Sequence, residues 1–298
     1  MKKILMAGCG GMLGEAFYSV FKDDYKVKCT DIDLNEEWLE YLDFRDYFAY
    51  RQCAEDFRPD YIFHLGAHTD LEYCEKNIKD TYLTNTISVE NAVLIANSLN
   101  IPILYISTAG IFDGSKDAFD DWDLPNPMCH YARSKYAAER FVLEQAFNPL
   151  VLRAGWMMGG GPKKDKKFVS KILNQVKDGV KILHVVNDKL GTPTYTYDFA
   201  NNAKIILEQK LWGLFNLVCE GTTGRYEVAK KMLSIMNLEN TVTINEVSSE
   251  YFKKEYFAPR PTSERLINQK LTLRGLNRMR NWEICLQEYL NKSYGDFL

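Results

Sequence analysis

The sequence has no strong excess of charge of either sign. Among its 298 residues, 37 lysines and arginines nearly balance 40 aspartates and glutamates, and the formal net charge is −3. Proteins that bind nucleic acid through its phosphates usually carry a clear excess of basic residues. We therefore expect no nucleic-acid partner.

Long apolar runs and paired cysteines are also missing. No run reaches the roughly 20 residues of a membrane-spanning helix, and the apolar stretch after Lys2 and Lys3 is too short for a signal peptide. The seven cysteines include no Cys-x-x-Cys pair, and the four histidines show no metal-ligand spacing. We expect a cytoplasmic protein with reduced thiols, no metal and no membrane contact.

Short apolar segments alternate with helical patterns over about the first 155 residues. Nearly continuous apolar strands between amphipathic helices are typical of a parallel sheet that is covered on both faces. The sequence therefore predicts an α/β fold with a Rossmann-like, doubly wound parallel sheet. The segments predicted as strands include KKILMAG, YIFHLGA, ILYIST and PLVLRAGW, and the longest predicted helices are TYLTNTISVENAVLIANSLN and YARSKYAAERFVLEQA.

The regular alternation ends after the fourth of these apolar strands. A glycine- and lysine-rich loop follows, and only GLFNLV, near residue 215, looks like a further strand of the main sheet. We predict a dinucleotide-binding domain formed by residues 1–165 plus about 193–220. A smaller, mostly C-terminal substrate lobe would contain residues from about 166–192 plus 221–298.

A glycine-rich loop joins the first predicted strand to the first helix. Gly8, Gly11 and Gly14 are spaced G-x-x-G-x-x-G in AGCGGMLGEAF. Glycine is needed there for a tight turn, for close approach to a pyrophosphate and for close packing of helix on strand. The helix N-terminus also offers free N–H groups to phosphates. The loop predicts a bound dinucleotide, and a glycine-rich turn without a ligand is the alternative.

Asp31 ends the second predicted strand, 23 residues after Gly8. A carboxylate at this place accepts hydrogen bonds from the adenosine ribose hydroxyls and repels a 2′-phosphate. No arginine stands at that strand end. Asp31 therefore favours NAD(H), with NADP(H) as the other possible cofactor, and an aspartate that only caps a turn is the structural alternative.

Tyr131 and Lys135 lie four residues apart in HYARSKYAAE, so they share one face of a predicted helix. A lysine ammonium near a phenol stabilises the phenolate and lowers the pKa of the tyrosine. Such a pair can transfer a proton near neutral pH. Taken alone, the pattern is equally that of a solvated helix surface.

The order of these features resembles a known superfamily. The glycine loop is followed by Ser107 and Thr108 at a strand end, and then by Tyr-x-x-x-Lys. This order is similar to that of extended short-chain dehydrogenases/reductases, which modify nucleotide sugars. Most of the chain resembles their dTDP-4-dehydrorhamnose reductase family. The more specific blocks are HLGAHTDLEYCE, LRAGW, VVNDKLGTPTYTYDFA, GLFNLVCEGTTGRYEVA and APRPTSERLINQKL.

The resemblance implies an NAD(P)H-dependent reductase that acts on the C4 keto group of a nucleotide-linked 4-keto-6-deoxy sugar. Tyr131 would donate the proton, Lys135 would hold the nicotinamide ribose, and Thr108 would hold the keto oxygen. The expected cofactor contacts are Gly8, Gly11, Met12, Leu13, Gly14, Asp31, Asp43, Phe44, Leu65, Gly66, Ala67, His68, Asn85, Tyr131 and Lys135. The expected substrate contacts are Thr69, Thr108, Ala109, Gly110, Trp156, Lys163, Thr192 and Arg260.

Two positions depart from the family pattern. The rhamnose enzymes typically carry an acidic residue and a tyrosine directly after the threonine, whereas this chain has Ala109 and Gly110. Small residues there resemble the nucleotide-sugar 4-epimerases and argue against dehydration. An epimerase with retained NAD is therefore one alternative, and a non-catalytic, dinucleotide-binding regulatory subunit is another. We also expect a homodimer, formed through the helices at 81–98 and 131–146.

Overall fold

The structure is a computed structural model that describes residues 1–295 and residue 297. Its strands are β1 Lys3–Ala7, β2 Lys26–Asp31, β3 Leu39–Tyr41, β4 Tyr61–His64, β5 Ile103–Thr108, β6 Pro149–Ala154, β7 Trp156–Met158, β8 Ile182–Val186, β9 Leu190–Gly191, β10 Pro193–Tyr195, β11 Gly213–Asn216, β12 Thr223–Gly224, β13 Thr243–Val247 and β14 Ser263–Glu264. Its α-helices are α1 Met12–Phe21, α2 Tyr47–Phe57, α3 Leu71–Lys76, α4 Ile78–Tyr82, α5 Ser88–Ser98, α6 His130–Gln145, α7 Gly161–Lys164, α8 Phe168–Lys177, α9 Thr196–Glu208, α10 Arg225–Ile235, α11 Gln269–Leu273 and α12 Trp282–Tyr294.

Seven parallel strands form the central sheet, in the order β11-β6-β5-β4-β1-β2-β3. The first six in chain order follow the doubly wound arrangement, and the strand order reverses between β1 and β4. The predicted α/β fold is therefore confirmed. β11 extends the sheet beyond β6, as GLFNLV predicted. Ligands of such sheets bind beyond the carboxyl ends of the strands at the point of reversal.

Apolar side chains cover both faces of the sheet. On one face, Phe17 and Phe21 of α1 stack with ring centroids 5.6 Å apart, and both meet the edge of Phe63 in β4. On the other face, α2, α5 and α6 pack on Leu5, Ile62 and neighbouring strand residues. Because both faces are buried, the strands are apolar at successive positions instead of alternating.

The long helix predicted between residues 81 and 100 is interrupted. A π-helical turn at Leu83–Ile87 joins α4 to α5 and places Asn85, which is fully buried, on the side of α6. Ser88, the first residue of α5, donates a 2.6 Å hydrogen bond from its Oγ to the carbonyl of Thr84 in this turn. A π-turn shifts the side chains that follow it, and such turns occur often at functional sites.

Short strands build a second region beside the carboxyl ends of the main sheet. β8 pairs with β13, and β9 lies between β12 and β14, so residues 182–191 join residues from beyond 220. β7 and β10 form a separate parallel pair. The division into two domains at the predicted boundaries stays a prediction. No helix among the described residues is long and apolar enough to span a membrane.

A buried ion pair fixes α6 to the sheet. Arg153 in β6 donates to both carboxylate oxygens of Glu139, at 3.0 Å and 2.6 Å, and the two side chains are 2% and 1% exposed. The bidentate geometry offsets the cost of removing both charges from water. It therefore sets the register of α6, which carries Tyr131 and Lys135.

We expect Glu139→Gln to lower the free energy of unfolding by about 3–5 kcal/mol, because Arg153 would remain buried without a counter-ion. Urea denaturation measures this loss. The matched control is Glu144→Gln on the same helix, where the pair with Arg140 is 53% and 59% exposed and contributes about 0.5 kcal/mol or less. Equal losses for the two variants would contradict the role given to the buried pair.

Candidate active site

The glycine loop lies where the strand order reverses. Gly8 follows β1 with a φ of +83°, and a methyl group added to it would lie 2.2 Å from the Cα of Gly66, which follows β4. Gly66 is confined in turn, since a methyl group there would lie 2.3 Å from the Phe44 ring. The loops after β1 and β4 therefore meet backbone to backbone, and only glycine fits at this contact.

The other glycines of the loop differ in their surroundings. A methyl group on Gly14 would lie 2.0 Å from the Cys9 carbonyl oxygen, so Gly14 lets α1 pack against the loop. Gly11 has no atom within 4 Å of that position. Gly11 directly precedes α1, and the position that a side chain would occupy on it is open space at the helix N-terminus. The loop thus offers an uncovered cradle of the kind that fits a pyrophosphate.

Asp31 lies at the carboxyl end of β2, where the sequence places it. Its Oδ2 accepts a 2.8 Å hydrogen bond from the Gly10 N–H, and its Oδ1 accepts a 3.0 Å bond from Asp33. These bonds hold the carboxylate beside the glycine loop. Gly10 was not among the predicted site residues, although it is one of four glycines in the loop sequence and thus gave a signal.

Leu65, Gly66 and Asp43 are further predicted cofactor residues that have contacts within the protein. Leu65 and Gly66 each donate a backbone hydrogen bond to the Ala7 carbonyl at the end of β1. Asp43 forms an ion pair with Arg45 at 2.7 Å, and this interaction lowers the pKa of the Asp43 carboxyl. The Leu13 side chain is buried in the core, so a contact of Leu13 with the cofactor, which stays a prediction, would involve its backbone.

Thr108, Tyr131 and Gly110 form the centre of the candidate active site. Thr108 ends β5, Tyr131 lies in the first turn of α6, and Gly110 lies between them. A methyl group on Gly110 would lie 3.5 Å from Thr108 Oγ1 and 3.7 Å from Tyr131 Cε1. Burial raises the pKa of the Tyr131 phenol, and the hydrogen bond with Thr108 opposes this only in part. The phenol is therefore protonated at neutral pH.

Lys135 is buried one helical turn after Tyr131. Its Nζ donates a 2.7 Å hydrogen bond to the Ile106 carbonyl and lies 4.3 Å from the centre of the Tyr105 ring. Burial lowers the pKa of Lys135 to about 7, although Glu139 opposes the shift. Burial raises the pKa of Tyr131 overall, and the Lys135 Nζ donates to the Ile106 carbonyl, so a lowering of the Tyr131 pKa by Lys135 stays a prediction.

Asn85 connects the loop after β4 to α6. Its side chain accepts from the His68 N–H at 2.8 Å and donates to the His68 carbonyl at 3.0 Å and to Ser134 Oγ at 3.2 Å. These contacts position the loop that contains Ala67 and His68 beside α6. The hydrogen bonds of Asn85 thus serve to align two elements of the site.

The substrate side contains two residues that the sequence did not indicate. Trp156 donates an indole hydrogen bond of 2.5 Å to Glu264, and the Arg225 guanidinium stacks 3.6 Å from the centre of the Trp156 ring. Burial lowers the pKa of Arg225 to about 10. Glu264 and Arg225 lie 108 and 69 positions after Trp156 in the sequence, so no local spacing could reveal the contact.

Four predicted substrate residues have contacts within the protein, and their contact with a substrate stays a prediction. Lys163 lies in α7, and its Nζ is 3.0 Å from the carboxylate of Glu36, which follows β2. This ion pair holds Lys163 near the carboxyl end of β2. Arg260 is paired through both terminal nitrogens with Glu72. Thr192 is buried and accepts from the Leu266 N–H at 3.2 Å. Ala109 is buried in a small apolar cluster.

Lys167, from the same glycine- and lysine-rich loop as Lys163, contacts a predicted substrate residue. Lys167 Nζ donates to the carbonyl and hydroxyl oxygens of Thr69, each at 2.9 Å. Burial lowers the pKa of Lys167. Thr69, a predicted substrate residue, therefore lies beside the Lys167 side chain.

Comparison with known protein families identifies the relationship. Residues 1–294 match the model of the RmlD substrate binding domain. The chain belongs to this family. It is 28% identical over 98% of its length to the spore coat polysaccharide biosynthesis protein SpsK of Bacillus subtilis, of which it covers 98%.

Two further relatives bear on function. A crystal structure of dTDP-4-dehydrorhamnose reductase from Bacillus anthracis, in complex with NADP, superposes with a TM-score of 0.89 at 27% identity, over 98% of this chain and 100% of that one. The methionine adenosyltransferase 2 subunit beta of Xenopus laevis is 24% identical over 97% of this chain and 87% of that protein. The chain is therefore similar both to an enzyme and to a protein named as a subunit.

We expect Gly8→Ala to destabilise the ligand-free protein by about 2–4 kcal/mol, since it adds a backbone clash and a left-handed alanine. Gly11→Ala is the matched control, because its added methyl group meets no atom within 4 Å. Thermal denaturation of both variants without cofactor measures the difference. Unchanged stability of Gly8→Ala would show that the loops after β1 and β4 do not meet as described.

Proposed function

We propose that the protein reduces the C4 keto group of a nucleotide-linked 4-keto-6-deoxy sugar, in the biosynthesis of a deoxysugar. The observation that carries this proposal is the grouping of Thr108 and Tyr131 around Gly110, at the carboxyl end of β5. Membership of the RmlD family, and the reductase from Bacillus anthracis named above, support the same reaction and substrate class.

Each hydroxyl has a role in this proposal. Thr108 Oγ1 and the Tyr131 ring lie 3.5 Å and 3.7 Å from one point beside Gly110, and both hydroxyls would donate to a carbonyl oxygen that develops negative charge there. The phenol is protonated at neutral pH because burial raises the pKa of Tyr131. Tyr131 is therefore the proton donor to that oxygen. A reduced nicotinamide bound in the groove beside the glycine loop would supply the hydride.

Lys135 supports Tyr131 from within the protein. Its ammonium donates to the Ile106 carbonyl in β5, and this hydrogen bond fixes the position of the ammonium. A cation at this place stabilises the phenolate that remains after Tyr131 gives up its proton. In our proposal Lys135 also donates to the nicotinamide ribose.

We propose NADH as the preferred cofactor and NADPH as the weaker one. Asp31 supports this preference, because its carboxylate is held at the end of β2 and would repel a 2′-phosphate. The relative from Bacillus anthracis was solved with NADP. Lys163 lies near the same strand end, paired with Glu36, and would be one cation available to a 2′-phosphate.

Two alternatives are each favoured by one observation. Ala109 and Gly110 resemble the pattern of the 4-epimerases, which would retain NAD without net turnover. The relationship to a methionine adenosyltransferase subunit favours a dinucleotide-binding regulatory protein, which would co-purify with another enzyme. Thr108, Tyr131 and Lys135 together favour a catalyst over the regulatory role.

We also propose that the protein is a homodimer. The apolar side chains of Leu83, Ile87 and Leu94 are 41%, 42% and 51% exposed on the helical segment that ends with α5. This segment packs against α6. Two such helix pairs would form a four-helix interface that covers these side chains.

We expect the purified protein to oxidise NADH faster than NADPH when it is given a 4-keto-6-deoxy sugar nucleotide. The carboxylate of Asp31 is the reason for the preference. A panel of dTDP-, UDP-, GDP- and CDP-linked sugars, followed by absorbance at the nicotinamide band, measures kcat/KM for each pair. No consumption of either cofactor with any of these sugars would refute the proposed function.

We expect Tyr131→Phe to retain cofactor affinity and to lose about two or more orders of magnitude in kcat, because only the proton donor is removed. Tyr136→Phe is the control on the same helix, because the Tyr136 ring packs against the apolar cluster that contains Ala109 and its hydroxyl has no part in the proposed mechanism. Stopped-flow turnover and cofactor titration separate the two effects. Normal turnover of Tyr131→Phe would remove Tyr131 from the mechanism.

A further inference from the structure

Glu264 enters the candidate active site from the last part of the chain. β14, which contains Glu264, pairs with β9. Thr192 Oγ1 accepts a hydrogen bond from the N–H of Leu266, two residues after Glu264. This places Glu264 Oε1 3.3 Å from the position of a methyl group on Gly110. Thr108 Oγ1 and Tyr131 Cε1 lie 3.5 Å and 3.7 Å from the same point. The carboxylate thus shares one space with the two hydroxyl donors.

The two oxygens of Glu264 have different surroundings. Oε2 accepts the 2.5 Å hydrogen bond from the Trp156 indole, which fixes the orientation of the carboxylate. Oε1 lies 3.3 Å from the position that a side chain on Gly110 would occupy. Within the described residues, Glu264 has no salt bridge, and the neighbouring Arg265 pairs with Asp117 instead.

The Trp156 indole satisfies Oε2, and the Arg225 guanidinium stacks on the same indole ring, so Oε1 is the oxygen without a hydrogen-bond donor among the described residues. A partly buried carboxylate oxygen needs such a donor. A carboxylate can only accept, so a ligand that meets Oε1 has to present a hydroxyl or an amine. Thr108 and Tyr131 would hold the carbonyl oxygen. The group that reaches Glu264 would then be a substituent on a ring carbon next to the carbonyl carbon.

We propose that Glu264 determines substrate specificity by accepting a hydrogen bond from a hydroxyl or amine on the sugar carbon next to the reduced carbonyl. This inference rests on the proposed function for the identity of the ligand as a keto sugar. Trp156 acts through Glu264 as a positioning residue. Gly110 is required because a side chain there would separate Oε1 from the sugar.

The test compares 4-keto-6-deoxy sugar nucleotides that carry a hydroxyl, an amine or only hydrogen at C3. We expect Glu264→Ala to lower kcat/KM about tenfold or more for the hydroxyl and amine sugars, and less than about twofold for the 3-deoxy sugar. Glu264→Gln should retain more activity with the hydroxyl than with the amine, because only the amine loses an opposite charge. A larger loss of activity with the hydroxyl sugar than with the amine sugar would contradict the proposal.

Equal losses with all three sugars would overturn the proposal, since they would show that Glu264 only supports Trp156. Calorimetric titration with the corresponding 4-hydroxy sugar nucleotides provides a readout without turnover. If the protein reduces none of the keto sugars, the proposed function fails, while weaker binding of the 3-hydroxy and 3-amino ligands to Glu264→Ala still supports the contact. Unchanged binding of these ligands would refute it.

Discussion

The buried ion pair between Arg153 and Glu139 is the interaction on which the rest of the site depends. It joins β6 to α6 in the interior, where a displaced helix would leave two charges without partners. Helix α6 carries Tyr131 and Lys135 on one face. A single helix register thus decides whether the phenol meets Thr108 and whether the ammonium meets the Ile106 carbonyl.

Hydrogen bonds extend this register to the neighbouring elements. Thr86 Oγ1 donates to the Ser134 carbonyl at 2.9 Å, and Asn85 links Ser134 to both backbone groups of His68. The π-turn is what brings Asn85 and Thr86 to face α6. On the other side of the groove, the contact of Gly8 with Gly66 fixes the glycine loop relative to the same segment. The cofactor groove and the proton donor are therefore aligned through one loop.

Local patterns predicted most of the parallel sheet and the centre of the site. The glycine loop, Asp31 at a strand end and Tyr131 with Lys135 are each defined within a few residues, so their spacing indicates their geometry. Lys163 and Arg260 could not be placed in this way, because Glu36 and Glu72 pair with them across long separations in the sequence. Glu264 and Arg225 left no local signal, since only the pairing of β14 and the packing of α10 bring them to Trp156.

The central claim is that Tyr131 and Thr108 act on a keto sugar that is reduced at C4. The most direct measurement is the fate of deuterium in single-turnover reactions with nicotinamide deuterated at its C4, analysed by mass spectrometry and NMR of the sugar. The account predicts one deuterium at C4 of the product and an equal amount of oxidised cofactor. A sugar that changes configuration without gaining deuterium, or no reaction at all, would contradict it.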